Sequence, residues 1–136
     1  MSMAMFYIQI RRNHITVRDL ATRREVSATA NFSNSRLLVA EFFIAEKAIY
    51  DASAPLRDWR NRRWGHRLSW LSGRADVVVH ALEMNEGGLS QVEDRVLQEI
   101  TVASFGMARV LVIDDPDVLT DLQVTQRIKH SKASRS

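Results

Sequence analysis

The chain has no cysteine. Disulfides, thiolate metal sites and thiol catalysis are therefore excluded, and the redox compartment leaves no record. No apolar run approaches the ~18 residues of a membrane span. The first residues, Met1-Ser2-Met3-Ala4, place no charged region before an apolar one, so no signal peptide is expected. A cytoplasmic location is the default. The four histidines, His14, His66, His80 and His130, lack a metal-ligand spacing such as H-E-x-x-H. Ser90 has no nucleophile-elbow context and reads better as a helix cap. No catalytic residue, metal ligand or cofactor is expected from these absences.

What is present looks globular. With 136 residues, 46 % hydrophobic and 26 % charged, the chain suits one domain with a real core. The net charge of +3 is unevenly spread. Residues 1–74 hold 13 basic and 6 acidic groups, residues 75–121 hold 2 basic and 10 acidic groups, and residues 122–136 hold 4 basic groups. Such a split suits an acidic partner at one end and a second copy at the other. Dispersal over a solvated surface is the plainer reading.

The stretch from Ala75 to Pro116 organises the chain. The run Asp76-Val77-Val78-Val79-His80-Ala81-Leu82 reads as a strand. Glu86-Gly87-Gly88 turns, and Ser90-Gln91-Val92-Glu93 has capping-box spacing, with the Glu93 carboxylate able to reach the Ser90 amide. Val92, Val96, Ile100 and Ala103 then recur with the period of a helical face. Gly106 sits where that helix would stop. Val110-Leu111-Val112-Ile113 is apolar on both sides, as a buried strand must be. Strand, helix and strand make a right-handed parallel crossover. His80 is expected to be a core or edge histidine with one hydrogen bond.

Before this unit, Phe6, Ile8 and Ile10 alternate with polar neighbours in a first strand. Arg12-Asn13 turns, Ile15 and Val17 mark a second strand, and Glu25 to Ala30 a third. A helix follows, with Phe42, Ala45 and Ile49 on one face. It starts either at a Ser35 cap or near Glu41, and is expected to end before Pro55. The expected class is α/β: a three-stranded antiparallel meander, then helix-strand-helix-strand. That is the element order of the ribonuclease H-like fold. Residues 1–121 are expected to form the domain, and 122–136 a basic, disordered tail, with one short helix in the stretch 117–126.

Three segments suggest a family. Val39-Ala40-Glu41-Phe42-Phe43-Ile44-Ala45-Glu46-Lys47 resembles the V-I-A-D-F-x-x-T-E-K segment of the bacterial actin MreB. Gln91-Val92-Glu93-Asp94-Arg95 resembles its Q-V-E-R-R. Ala108-Arg109-Val110 through Ile113-Asp114-Asp115-Pro116 resembles its A-R-x-V-x-x-I-E-E-P. The resemblance runs from about Phe6 to Pro116 and corresponds to the family's first lobe. It implies an actin-like lobe and cell-shape biology. The family's D-x-G-T phosphate loop is replaced by Ile8-Gln9-Ile10-Arg11-Arg12-Asn13-His14, without Asp or Gly. The second phosphate loop and the adenine site belong to a lobe this chain does not contain. A degenerate nucleotide site is implied, so no ATP or GTP binding is expected. A metal-dependent nuclease is also disfavoured, because the first strand offers no carboxylate.

Leu56 to Arg74 has no counterpart in the resemblance. It carries Arg57, Arg60, Arg62, Arg63, Arg67 and Arg74 with Trp59, Trp64 and Trp70, all the tryptophans of the chain. We read Arg57, Trp59, Arg60, Arg62, Arg63, Trp64, Arg67 and Trp70 as candidate partner-binding residues, since Trp and Arg are common interface anchors. The same composition suits single-stranded nucleic acid or an anionic membrane surface. A basic loop with tryptophans folded onto the core is the plain alternative. The expected function is non-catalytic: protein–protein interaction, with a homodimer and an actin-like filament or cell-shape protein as partners. The alternative is a nucleic-acid-binding module using the Trp/Arg segment and the basic tail.

Overall fold

The computed structural model describes residues 4–64, 75–105 and 108–134, with side chains for 4–56, 75–105 and 108–131. The chain begins as a meander because two short turns accept left-handed backbone. Asn13 takes φ 56° between β1 (Met5–Arg11) and β2 (His14–Asp19), and Arg23 takes φ 62° before β3 (Glu25–Thr29). The Asp19 carboxylate steadies the second turn by accepting the Ala21 amide at 3.0 Å. α1 (Phe42–Trp64) then carries the chain to β4 (Ala75–Ala81), and α2 (Gln91–Phe105) carries it to β5 (Ala108–Ile113). α3 (Asp121–Ser134) follows.

The sheet order is β3-β2-β1-β4-β5. β1, β2 and β3 pair antiparallel; β4 pairs parallel with β1 and with β5. This is a small α/β domain with a five-stranded mixed sheet, as the element order predicted. Period-two alternation decides what each face carries. Phe6, Ile8, Ile10, Ile15, Val17, Val77, Val79 and Ala81 form the core on the α1 and α2 side. Tyr7, Val78 and Ile113 lie on the other side, where Val124 and Ile128 of α3 cover them. Each large apolar side chain buried this way contributes about 1.5–3 kcal/mol. α3 covers its side with Val124 and Ile128 and touches the strands least of the three helices, so its hold on the sheet is the lightest.

Of the two starts open to α1, the structure takes the one near Glu41: the helix begins at Phe42, and the Glu41 carbonyl accepts the Ala45 amide at 3.1 Å, with Ser35 outside the helix. Three expectations need correction. α1 does not end before Pro55 but runs through it to Trp64. Proline removes one intrahelical hydrogen bond, yet Ala52 and Leu56 on either side are fully buried and hold the helix together. The first part of the segment 56–74 is therefore helical backbone. The face of α2 is also turned: Leu97, Ile100, Thr101 and Ser104 are buried, while Val92 is 73 % exposed and Ala103 also faces solvent. Thr101 and Ser104 can be buried because their hydroxyls donate to the Leu97 and Ile100 carbonyls. Finally, residues 122–134 of the expected disordered tail belong to α3. Its start is a capping box. The Thr120 hydroxyl accepts the Gln123 amide at 3.2 Å, and the Gln123 side-chain oxygen accepts the Thr120 amide at 2.8 Å.

Candidate interaction surface

The capping box of α2 is present in altered form. The Ser90 hydroxyl accepts the Glu93 amide at 3.2 Å and donates to the Glu93 carboxylate at 3.2 Å. This fixes the first turn of α2 beside the segment 37–39. That segment is held from the other side: the Asn34 carboxamide oxygen accepts the Arg36 and Leu37 amides at 2.8 and 2.7 Å. The Ser33 hydroxyl donates to the Leu38 carbonyl. An apolar groove results, walled by Leu37, Val39, Leu89, Val92 and Val96 and floored by Leu38 and Leu97. Glu93 stands at its edge. Farther along α1, Phe43 is 79 % exposed and Tyr50 51 % exposed. They sit seven residues apart, so they share the outer face of the helix. Large apolar groups are rarely left in water over a connected area without a partner.

Of the sequence-predicted partner residues, Arg57, Trp59, Arg60, Arg62, Arg63 and Trp64 fall in the backbone of α1. Their side chains lie outside the described residues, as do Arg67, Trp70 and Gly106 altogether. The acidic stretch after β5 is put to internal use. Asp114 accepts the Leu89 amide at 3.0 Å, and Asp115 is paired with Arg127. Glu83 accepts the Arg12 amide at 2.7 Å. Part of the acidic block is thus gathered at the carboxyl ends of β4 and β5. The groove residues Leu37, Leu89 and Val92 were missed at the sequence level. The signal available was the Ser90 cap, which places Val92 in the first turn.

The other side of the sheet holds a buried polar chain. The Leu119 amide donates to the Tyr7 hydroxyl at 3.1 Å, and that hydroxyl lies 2.6 Å from His80 Nδ1. His80 Nε2 lies 2.8 Å from the Asp115 carbonyl. A carbonyl only accepts, so Nε2 carries the proton and Nδ1 accepts from Tyr7. His80 thus makes two hydrogen bonds where one was expected. Burial pushes its pKa below the ordinary histidine value; the Asp115 carbonyl and carboxylate oppose this, and Arg127 and Arg11 add to it. Burial likewise raises the Tyr7 pKa. Among the described residues, no three His, Asp or Glu side chains gather as metal ligands, and no helix is long and apolar enough to cross a membrane.

Fold and surface together define an α/β domain with an apolar groove beside its second helix. No family model matches the chain. It is 53 % identical over 106 residues to the uncharacterized protein YjaA of Escherichia coli (strain K12), which covers 75 % of this chain and 77 % of that protein. The chain belongs to the family of that protein. This overturns the resemblance to MreB, and the cell-shape and cytoskeletal expectations fall with it. The physical reason is visible in the fold. The three matching segments are the entry to α1, the capped start of α2, and β5 with its exit. A strand-helix-strand unit of this type needs such residues at such places whatever its ancestry.

Proposed function

We propose that this chain is a non-catalytic domain that works by binding protein. The observation that carries the reading is the groove walled by Leu37, Leu89 and Val92, with Val92 73 % exposed in the first turn of a helix. Phe43 and Tyr50 add exposed aromatic side chains on α1. The Arg/Trp-rich end of α1, Arg57 to Trp64, adds residue types that anchor interfaces. Self-association into a homodimer is the simplest use of such a surface. The order β3-β2-β1-β4-β5 supports a ribonuclease H-like reading of the fold. Metal-dependent nucleases of that fold take a carboxylate from the first strand, and β1 reads Met-Phe-Tyr-Ile-Gln-Ile-Arg. This favours binding over hydrolysis.

A benzophenone amino acid placed at position 92 tests the reading in the source cell. A discrete protein adduct is expected from position 92 and none from position 129 on α3. The competing reading takes Arg57, Arg60, Arg62 and Arg63 with Trp59 and Trp64 as a single-strand binding surface. Equal adducts from the two positions, together with salt-steep binding of single-stranded DNA or RNA, would put that reading in its place.

A further inference from the structure

The buried chain Leu119–Tyr7–His80–Asp115 joins three parts of the molecule. Tyr7 belongs to β1 and His80 to β4, neighbours in the sheet with Gln9 opposite His80. Leu119 and Asp115 belong to the connection between β5 and α3. The two backbone contacts hold that connection down on the sheet, and α3 follows directly from it. α3 itself is held by Val124 and Ile128, by the Arg127–Asp115 pair, and by Arg18, whose guanidinium meets Asp121 at 2.8 and 3.1 Å.

We propose that His80 is an acid-opened latch for α3: gain of a proton at Nδ1 breaks the chain and lets the connection 114–120 and α3 lift from the sheet. The proton goes to the atom that now accepts from the Tyr7 hydroxyl. That hydroxyl already accepts the Leu119 amide. If it also took the new N–H, its own proton would need an acceptor in a buried place. The charge on the ring meets little compensation. Arg11 from β1 and Arg127 from α3 repel it. Asp115 from the connection attracts it, but that carboxylate is already engaged by Arg127. Tyr7 from β1 is neutral below its raised pKa. Asp76, on the same face of β4, is four residues away along an extended strand. His80 is fully buried, so opening is the route by which water reaches the ring. The weakest-held helix gives way first. What it uncovers is the apolar face of Tyr7, Val78 and Ile113.

Amide hydrogen exchange of the intact protein tests this, followed from about pH 7.5 to about pH 5, above the range of ordinary carboxylates. After correction for the intrinsic pH dependence, opening of α3 is expected to rise by up to about tenfold per pH unit below ~6.5. The amides of β1 and β4 are expected to keep their protection. The His130→Gln variant, which removes the exposed histidine on α3, should respond like the wild type, and His80→Gln should show no response. Unchanged α3 protection in the wild type would overturn the proposal, as would a response that survives in His80→Gln. Should His80→Gln fail to fold, the imidazole resonance of His80 in the wild type decides. Its titration midpoint must lie below the ordinary histidine value and follow the loss of α3 protection; a ring that titrates while α3 stays closed sinks the latch.

Discussion

The Tyr7 hydroxyl accepts one hydrogen bond and donates another, so removing it strands two groups at once. Tyr7→Phe leaves the Leu119 amide and His80 Nδ1 without this partner. A loss of about 1–3 kcal/mol is expected in urea denaturation, the cost of an unsatisfied buried polar group. The same residues set the pH profile. The native pKa of His80 is depressed, so the unfolded state binds more protons on the acid side. Stability from this residue is full above the unfolded pKa and declines as pH falls below ~6.5. The native pKa of Tyr7 is raised, so the unfolded state loses its proton first, and stability declines as pH rises past ~10. Urea midpoints between these limits should form a plateau, with a decline on both sides.

At the scale of elements, two positions have backbone reasons for their identity. Gly88 sits at φ +88°, and a Cβ there would meet the Asp114 carboxylate at 3.3 Å. Gly88→Ala is expected to cost about 1–2 kcal/mol from left-handed strain, read by thermal melting. Ser90→Ala removes the cap of α2 and should cost about 1 kcal/mol. The strands, the parallel crossover from β4 through α2 to β5 and the α2 cap were legible in the sequence, because alternation and Ser-x-x-Glu spacing are local signals. Other features were not. The face of α2 was misread because Thr101 and Ser104 are polar in type but bond their own helix, so counting apolar residues points the face at Val92. The helix through Pro55 was missed because burial of Ala52 and Leu56 is a tertiary fact. α3 was misread from its lysines and serines, although Thr120-x-x-Gln123 carried the same capping signal as Ser90. The groove was not legible because Leu37 and Val92 meet only through the fold.

For the whole molecule, surface and core separate cleanly in one test. Val92→Glu puts a charge on a 73 % exposed position, so folding stability should change by no more than ~0.5 kcal/mol. Self-association should be lost: light scattering at roughly 50 µM is expected to give a dimer for the wild type and a monomer for the variant. A wild-type monomer would remove the dimer from the proposal. The order of the sheet has a further consequence, for biosynthesis. β1 is an inner strand, yet Phe6 pairs with Val77, about seventy residues later. At ~5–20 residues per second, a ribosome leaves the inner edge of β1 open for about 4–15 s after β1 is made. During that interval the nascent meander carries Phe6, Ile8, Ile10, Ile15 and Val17 without the helices that cover them. Synonymous codons that slow translation between β3 and β4 should lengthen this exposure and lower the soluble yield, while slow codons after β5 should not.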